Sequence, residues 1–178
     1  MVKTREQIKK AFLTLRERLM PEKIKVKDIC DIAMINKTTF YNHYTDSIEL
    51  SNEIDELAID RVVAAFEQKD KLVEDPKAYV TGLMKVIERD REELRVVFRG
   101  KQEILSAKLN EKLHGFFIGK SKSIEEDIKL SFYMGGFIHV VIDFIFSDIK
   151  CDEEQLTQAV VKMMESLNIA KKPAAQCN

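Results

Sequence analysis

Apolar positions along the chain recur at helical spacing. Ile8, Phe12, Leu15 and Leu19 fall at i, i+4, i+7 and i+11, which predicts a helix opened by a Thr4/Gln7 capping box and stopped by Pro21. Val26, Ile29, Cys30 and Ala33, at i, i+3, i+4 and i+7, predict a second helix of about two turns. Met34-Ile35-Asn36 reads as a tight turn, with Asn36 as N-cap of a short third helix, Lys37 to Tyr44.

The pattern continues beyond residue 45. Asp46-Ser47-Ile48-Glu49 is a capping box for a long helix to about Phe66, with Leu50, Ile54, Leu57, Ala58, Val62 and Ala65 on its apolar side. Asp75-Pro76 supplies an N-cap and a proline at the first helical position. That helix carries Leu83, Val86, Ile87, Leu94 and Val97 and ends before Gly100. Shorter helices are expected between Lys101 and Ile118, then a loop at Gly119–Lys122. Ser123-Ile124-Glu125-Glu126 opens a helix to Phe146, and Asp152 caps a last one with Leu156, Val160, Met163 and Leu167 as its stripe. No alternating run suits a strand. The fold class is all-α.

Composition narrows the function classes. Three cysteines, widely spaced and without C-x-x-C, argue against a disulfide framework and a cysteine zinc site. No signal peptide is visible, and the apolar stretch Phe132–Phe146 is too short to span a bilayer. The expectation is a soluble cytoplasmic protein with no membrane partner. No cofactor, metal ligand set or catalytic residue is expected. His139 and Asp143 lie four apart and His114 stands alone, short of three or four convergent ligands. No phosphate loop or nucleophile motif occurs, so the protein is not read as an enzyme.

Charge adds a direction. Residues 1–45 carry a net +5 and the remainder a net −6, which suggests a polyanion partner at the N-terminal end. Three helices there, the last two short and closely joined, describe a helix-turn-helix whose second helix can enter the major groove. That helix, Lys37-Thr38-Thr39-Phe40-Tyr41-Asn42-His43-Tyr44, is rich in hydrogen-bonding groups, while Phe40 and Tyr44 are expected to face the core.

Residues 26–50, VKDICDIAMINKTTFYNHYTDSIEL, resemble the DNA-binding signature of the TetR family of bacterial transcriptional regulators. The run Thr39-Phe40-Tyr41-Asn42-His43-Tyr44 carries the resemblance, and Asp28-Ile29, Ala33 and the spacing to Leu50 extend it. Three positions depart from the pattern. Lys25 stands where a capping threonine is usual, Met34 replaces the turn glycine, and Ser47 replaces a lysine. The resemblance implies that Tyr41 and His43 contact phosphates and that Lys37 does so or reaches a base, with charge added by Lys25 and Lys27. Thr38, Thr39 and Asn42 would face the groove, Asn42 being able to read adenine.

It also implies the organisation of the whole chain. Residues 1–45 would be the DNA-binding domain, 46–170 a helical domain for effector binding and dimerisation, and 171–178 a flexible tail. The partners implied are a double-stranded operator, a second copy of the chain and a small-molecule effector. The helix through Phe132–Phe146 is apolar nearly all round and must be covered on every side, which a partner subunit would achieve. Gly135 and Gly136 would admit close approach of another backbone. Phe98, Phe116, Phe117 and Tyr133 are candidate pocket residues. Two functions stand side by side: a dimeric regulator that binds DNA, and a co-regulator on the same scaffold that acts through a protein partner.

Overall fold

The computed structural model describes residues 2–66, 75–117, 123–146 and 150–166. The described residues form helices and connecting turns, without a strand. They are α1 (Val2–Arg16), a 3₁₀ turn (Pro21–Lys23), α2 (Val26–Ala33), α3 (Lys37–Tyr41) and α4 (Ser47–Ala65). α5 (Pro76–Phe98), α6 (Gln102–Phe117), α7 (Ile124–Phe146) and α8 (Glu153–Ser166) follow. The chain is all-α, as the periodicity predicts.

Side-chain caps set several helix starts. Asn36 Oδ1 accepts the Thr39 amide at 2.7 Å, and Asp46 Oδ1 accepts those of Ile48 and Glu49 at 2.8 Å. Asp75 Oδ1 accepts Ala78 N–H at 3.0 Å, and Ser123 Oγ accepts Glu126 N–H at 3.2 Å. Asp152 and Gln155 cap each other reciprocally, at 2.7 and 3.1 Å. These bonds satisfy first-turn amides that have no partner within the helix.

Four expectations are revised. α1 begins at Val2, so Thr4 lies inside it and is not its cap. α3 ends at Tyr41, because the Tyr44 and His43 amides turn back to the Phe40 carbonyl at 3.0 and 2.9 Å. The region after Gly100 is one helix of 16 residues, not several short ones. α7 is longer than its apolar stretch, and its 23 residues are long and apolar enough by length and composition to cross a membrane. Its first turn is acidic, and its buried residues leave an exposed face that includes Ile124, Ile128 and Phe132. The Gly119–Lys122 loop, Leu167, Cys177 and the tail lie outside the described residues.

The chain divides into two compact units, Met1–Asp60 with Glu93–Lys101, and Arg61–Glu92 with the chain from Gln102 on. The core of the first holds Ile8, Phe12, Ile29, Phe40, Tyr44, Leu50, Leu94 and Phe98. Arg16 is also inside, at 1% exposure. Its Nη1 donates to Leu19 O at 2.7 Å, and its Nη2 to Val97 O and Arg99 O at 3.0 and 3.1 Å. Arg99 answers, donating to Glu17 O at 2.7 Å and Arg16 O at 2.9 Å. Each guanidinium thus closes the C-terminal end of the other's helix, where carbonyls lack intrahelical partners. Beside them Lys101 Nζ reaches both carboxylate oxygens of the buried Asp55 at 2.6 Å. Gly100, at φ 74°, permits the turn between, and a Cβ there would run into Met20 Cε.

The second unit is built on the buried stripe of α7: Met134, Phe137, Ile138, Val141, Ile142, Phe144 and Ile145. The Arg91 guanidinium lies 4.2 Å from the centre of the Phe144 ring and donates to Phe144 O at 2.6 Å. Phe66, Tyr79, Leu83, Tyr133 and Phe137 help enclose a cavity of about 10 Å³, room for one water molecule. Tyr133 is the one expected pocket residue that lines it; Phe98 is core in the first unit. The side chains of Phe116 and Phe117 are outside the described residues.

The Tyr79 hydroxyl donates to Phe66 O at 3.3 Å, and burial pushes its pKa up to about 12. A raised pKa means that the stability linked to this group is whole below about pH 10 and is lost as pH rises through about 12. Tyr79→Phe should remove roughly 2–3 kcal/mol of that alkaline destabilisation. Urea unfolding between pH 9 and 12, beside the wild type, checks it. Parallel pH profiles would contradict it.

Candidate nucleic-acid interface

α2 and α3 are joined by a turn that only one residue type makes without strain. Met34 holds φ 53° and ψ 44°, the left-handed region, and its amide and that of Ile35 both return to Cys30 O. Among the described residues it is the sole non-glycine at positive φ. The side chain is 92% exposed, so no packing offsets the cost of about 1 kcal/mol that a Cβ meets there. Lys25 sits at the N-cap of α2 with extended backbone and makes no side-chain cap, as its chemistry requires.

The face of α3 follows from one buried anchor. Phe40 is fully buried and packs edge-to-face on Tyr41, ring centres 5.6 Å apart. At 100° per residue, Lys37, Thr38, Tyr41 and Asn42 fall within one arc away from Phe40, and all four are exposed. Thr39 is half-buried and otherwise engaged. Its hydroxyl donates to Asn36 Oδ1 at 2.9 Å, so it can only accept a bond from elsewhere. His43 lies past the helix end and is half-buried.

The rest of the unit sorts its cations. Glu53 on α4 pairs with Lys9 at 3.0 Å and with Arg5, which also donates to the Tyr44 hydroxyl at 3.1 Å. Burial pushes the Glu53 carboxyl up, but the bonds from Arg5 and Lys9 outweigh it and hold the pKa below the usual carboxylate range. Glu49 is held low as well, by the Thr45 backbone amide and then the Thr45 hydroxyl. Arg5, Lys9 and Arg16 are therefore structural. Lys3, Lys10, Arg18, Lys23, Lys25, Lys27 and Lys37 remain exposed. Lys23, Lys25 and Lys27 flank the N-terminus of α2, and Lys37 begins α3. Sequence reasoning missed Glu53, Arg16 and Arg99, because a pair of residues tens of positions apart leaves no local signal.

The sequence matches no protein-family model and no curated protein. Solved structures do match. A transcriptional regulator of the TerR/AcrR family from Aquifex aeolicus VF5 is 18% identical, over 92% of this chain and 99% of that one, with a TM-score of 0.60. A TetR transcriptional regulator from Streptococcus agalactiae 2603V is 22% identical, over 90% and 93%, at 0.57. The dihydroxyacetone kinase operon activator DhaS is 17% identical, over 97% and 100%, also at 0.57.

The chain has the TetR/AcrR regulator fold.

Within that fold, α2 and α3 are the helix pair that the motif at residues 26–50 marks out, and Asn36 and Phe40 fix how α3 presents its polar face. His139 is exposed and 3.6 Å from Asp143, and no cluster able to hold a metal ion occurs among the described residues.

Proposed function

We propose that the protein is a homodimeric transcriptional regulator that binds a pseudo-palindromic operator in double-stranded DNA under control of a small molecule. The observation that carries this reading is the single exposed face formed by Lys37, Thr38, Tyr41 and Asn42 on a helix anchored by Phe40. Tyr41, His43 and Lys37, with Lys25 and Lys27, serve the phosphates. Thr38 and Asn42 serve the bases, and Thr39 serves mainly the cap. Residues 1–45 supply this interface and 46–170 the effector and dimer functions. The matching structures, two transcriptional regulators and an operon activator, support the same class of function.

The open face of α7 supports the dimer. Ile124, Ile128 and Phe132 are 80%, 64% and 76% exposed and lie four residues apart, so they share a face. Gly135 and Gly136 prolong it, and nothing lies within 4 Å of a Cβ added at either. The expectation of burial all round therefore fails within one protomer. A second copy supplies the missing cover. An effector acts by favouring one separation of the two α3 helices, and it can do so only by binding that state better.

Asn42 and Tyr41 give the test of residue roles. Tyr41→Phe and Lys37→Ala should weaken binding by a similar factor on every sequence, since phosphate contacts carry no sequence information. Asn42→Ala should change the preferred base at its position, at a cost of roughly 1–3 kcal/mol on the best site. Equal loss on specific and random duplexes would remove Asn42 from the base-reading set.

One observation favours the co-regulator reading. Ile32 and Met34, at the end of α2, are both exposed apolar side chains, available to a protein partner. That reading predicts binding of a partner protein by a chain that shows no operator preference.

A further inference from the structure

α3 spans only five residues, Lys37–Tyr41, too few to hold a shape or a direction unaided. The cap at Asn36 fixes its start, and Phe40 fixes one point on its buried side. Tyr44 supplies a second point. It lies four residues on, is 2% exposed, and its ring centre is 5.8 Å from that of Phe40. Phenylalanine would serve as well for a buried ring. The hydroxyl is the feature that packing leaves unexplained.

That hydroxyl accepts a bond from Arg5 Nε at 3.1 Å, and the guanidinium carbon stands 5.4 Å from the Tyr44 ring centre. The other arm of the same guanidinium, Nη2, donates to Glu53 Oε2 on α4. Lys9 holds the second oxygen, Oε1, at 3.0 Å. One turn earlier on α4, Glu49 Oε2 accepts the Thr45 amide and hydroxyl at 2.6 and 2.7 Å. Residues 44 and 45, the exit from α3, are thus both tied to α4, Thr45 directly and Tyr44 through Arg5. The Arg5 side chain is half exposed, so core packing does not account for its place.

We propose that Arg5 is a positioning residue for base reading: by holding the Tyr44 hydroxyl to Glu53, it sets the angle at which α4 presents α3 to DNA. The proposal rests on the operator-binding reading above. A side-chain tip stands about 5–6 Å from the helix axis, so a rotation of about 20° moves it by about 2 Å. The distance window of a hydrogen bond to a base edge is only about 0.5 Å wide. Lysines on phosphates follow such a shift with their flexible stems. Loss of the tie therefore lowers discrimination between sequences and spares general affinity for DNA.

The test uses the full chain and two conservative variants. Arg5→Lys keeps the charge that a phosphate contact would need and gives up the fork that reaches two acceptors at once. Tyr44→Phe keeps the ring and removes the acceptor. Each is expected to lower affinity for the selected operator about three- to tenfold and to leave affinity for a random duplex unchanged, and the double variant should lose no more than either alone. In the free protein, amide hydrogen exchange should quicken by about the same factor at His43 and Tyr44, whose amides bond to Phe40 O, with α2 unchanged. Side chains that only stabilised the fold would shift the thermal midpoint and leave the operator-to-random ratio where it is. Equal loss on both duplexes, losses that add in the double variant, or unchanged exchange at His43 and Tyr44 would overturn the proposal. A wild-type chain without sequence preference would defeat the operator-binding reading, whereas unchanged exchange defeats this proposal alone.

Discussion

Arg16→Ala should cost about 3–5 kcal/mol of stability, a large part of the 5–15 kcal/mol that a domain of this kind has. The change removes the donors to Val97 O and Arg99 O and leaves those carbonyls without partners in a buried place. Arg99 loses nothing directly, since its own bonds run to the α1 carbonyls of Arg16 and Glu17, but the end of α5 it belongs to is loosened. Arg16→Met keeps the length and the packing of the stem and still leaves the carbonyls bare, so it should recover only part of the loss. Urea unfolding of the full chain measures both. A methionine variant as stable as the wild type would show that the guanidinium is tolerated there, not required.

Phe132→Arg should abolish the dimer and lower operator affinity by about a hundredfold or more, because one recognition helix then binds without the effective concentration of the other. The side chain is 76% exposed in the protomer, so the fold itself should change by no more than about 0.5 kcal/mol. This separates assembly from folding, which a change at the neighbouring Phe137 would not, since Phe137 belongs to the core. Sedimentation at micromolar concentration gives the mass, and a titration on the selected operator gives the affinity. A wild-type chain that sediments as a monomer would contradict the account of α7.

What could be read before the structure was local. The cap at Asn36, the anchor at Phe40 and the starts of α4, α5, α7 and α8 are each written within four residues, the reach of a capping bond. The polar face of α3 followed from the same few positions. Two things were not legible. The charge total of +5 counted Arg5, Lys9 and Arg16 as free cations, whereas distant partners engage them: Glu53 for the first two, the end of α5 for the third. Helical periodicity also could not tell a buried apolar face from an open one. It marked all of α7 as needing cover, and only the packed protomer shows that Phe132 and Ile128 lack it while Phe137 and Val141 do not. Thr39 combines both lessons, since its place in the motif suggests the groove and its hydroxyl is held by Asn36.

The central claim is that two copies of α3 read one site with two-fold symmetry. Selection of genomic fragments by the purified full chain, followed by footprinting and titration at several salt concentrations, tests it most directly. The account predicts a pseudo-palindromic footprint whose half-site centres lie about one helical turn of DNA apart, or a multiple of it. It also predicts affinity that falls steeply and linearly with the logarithm of salt, as the exposed lysines displace counterions. A site without two-fold symmetry, or binding indifferent to salt, would contradict it.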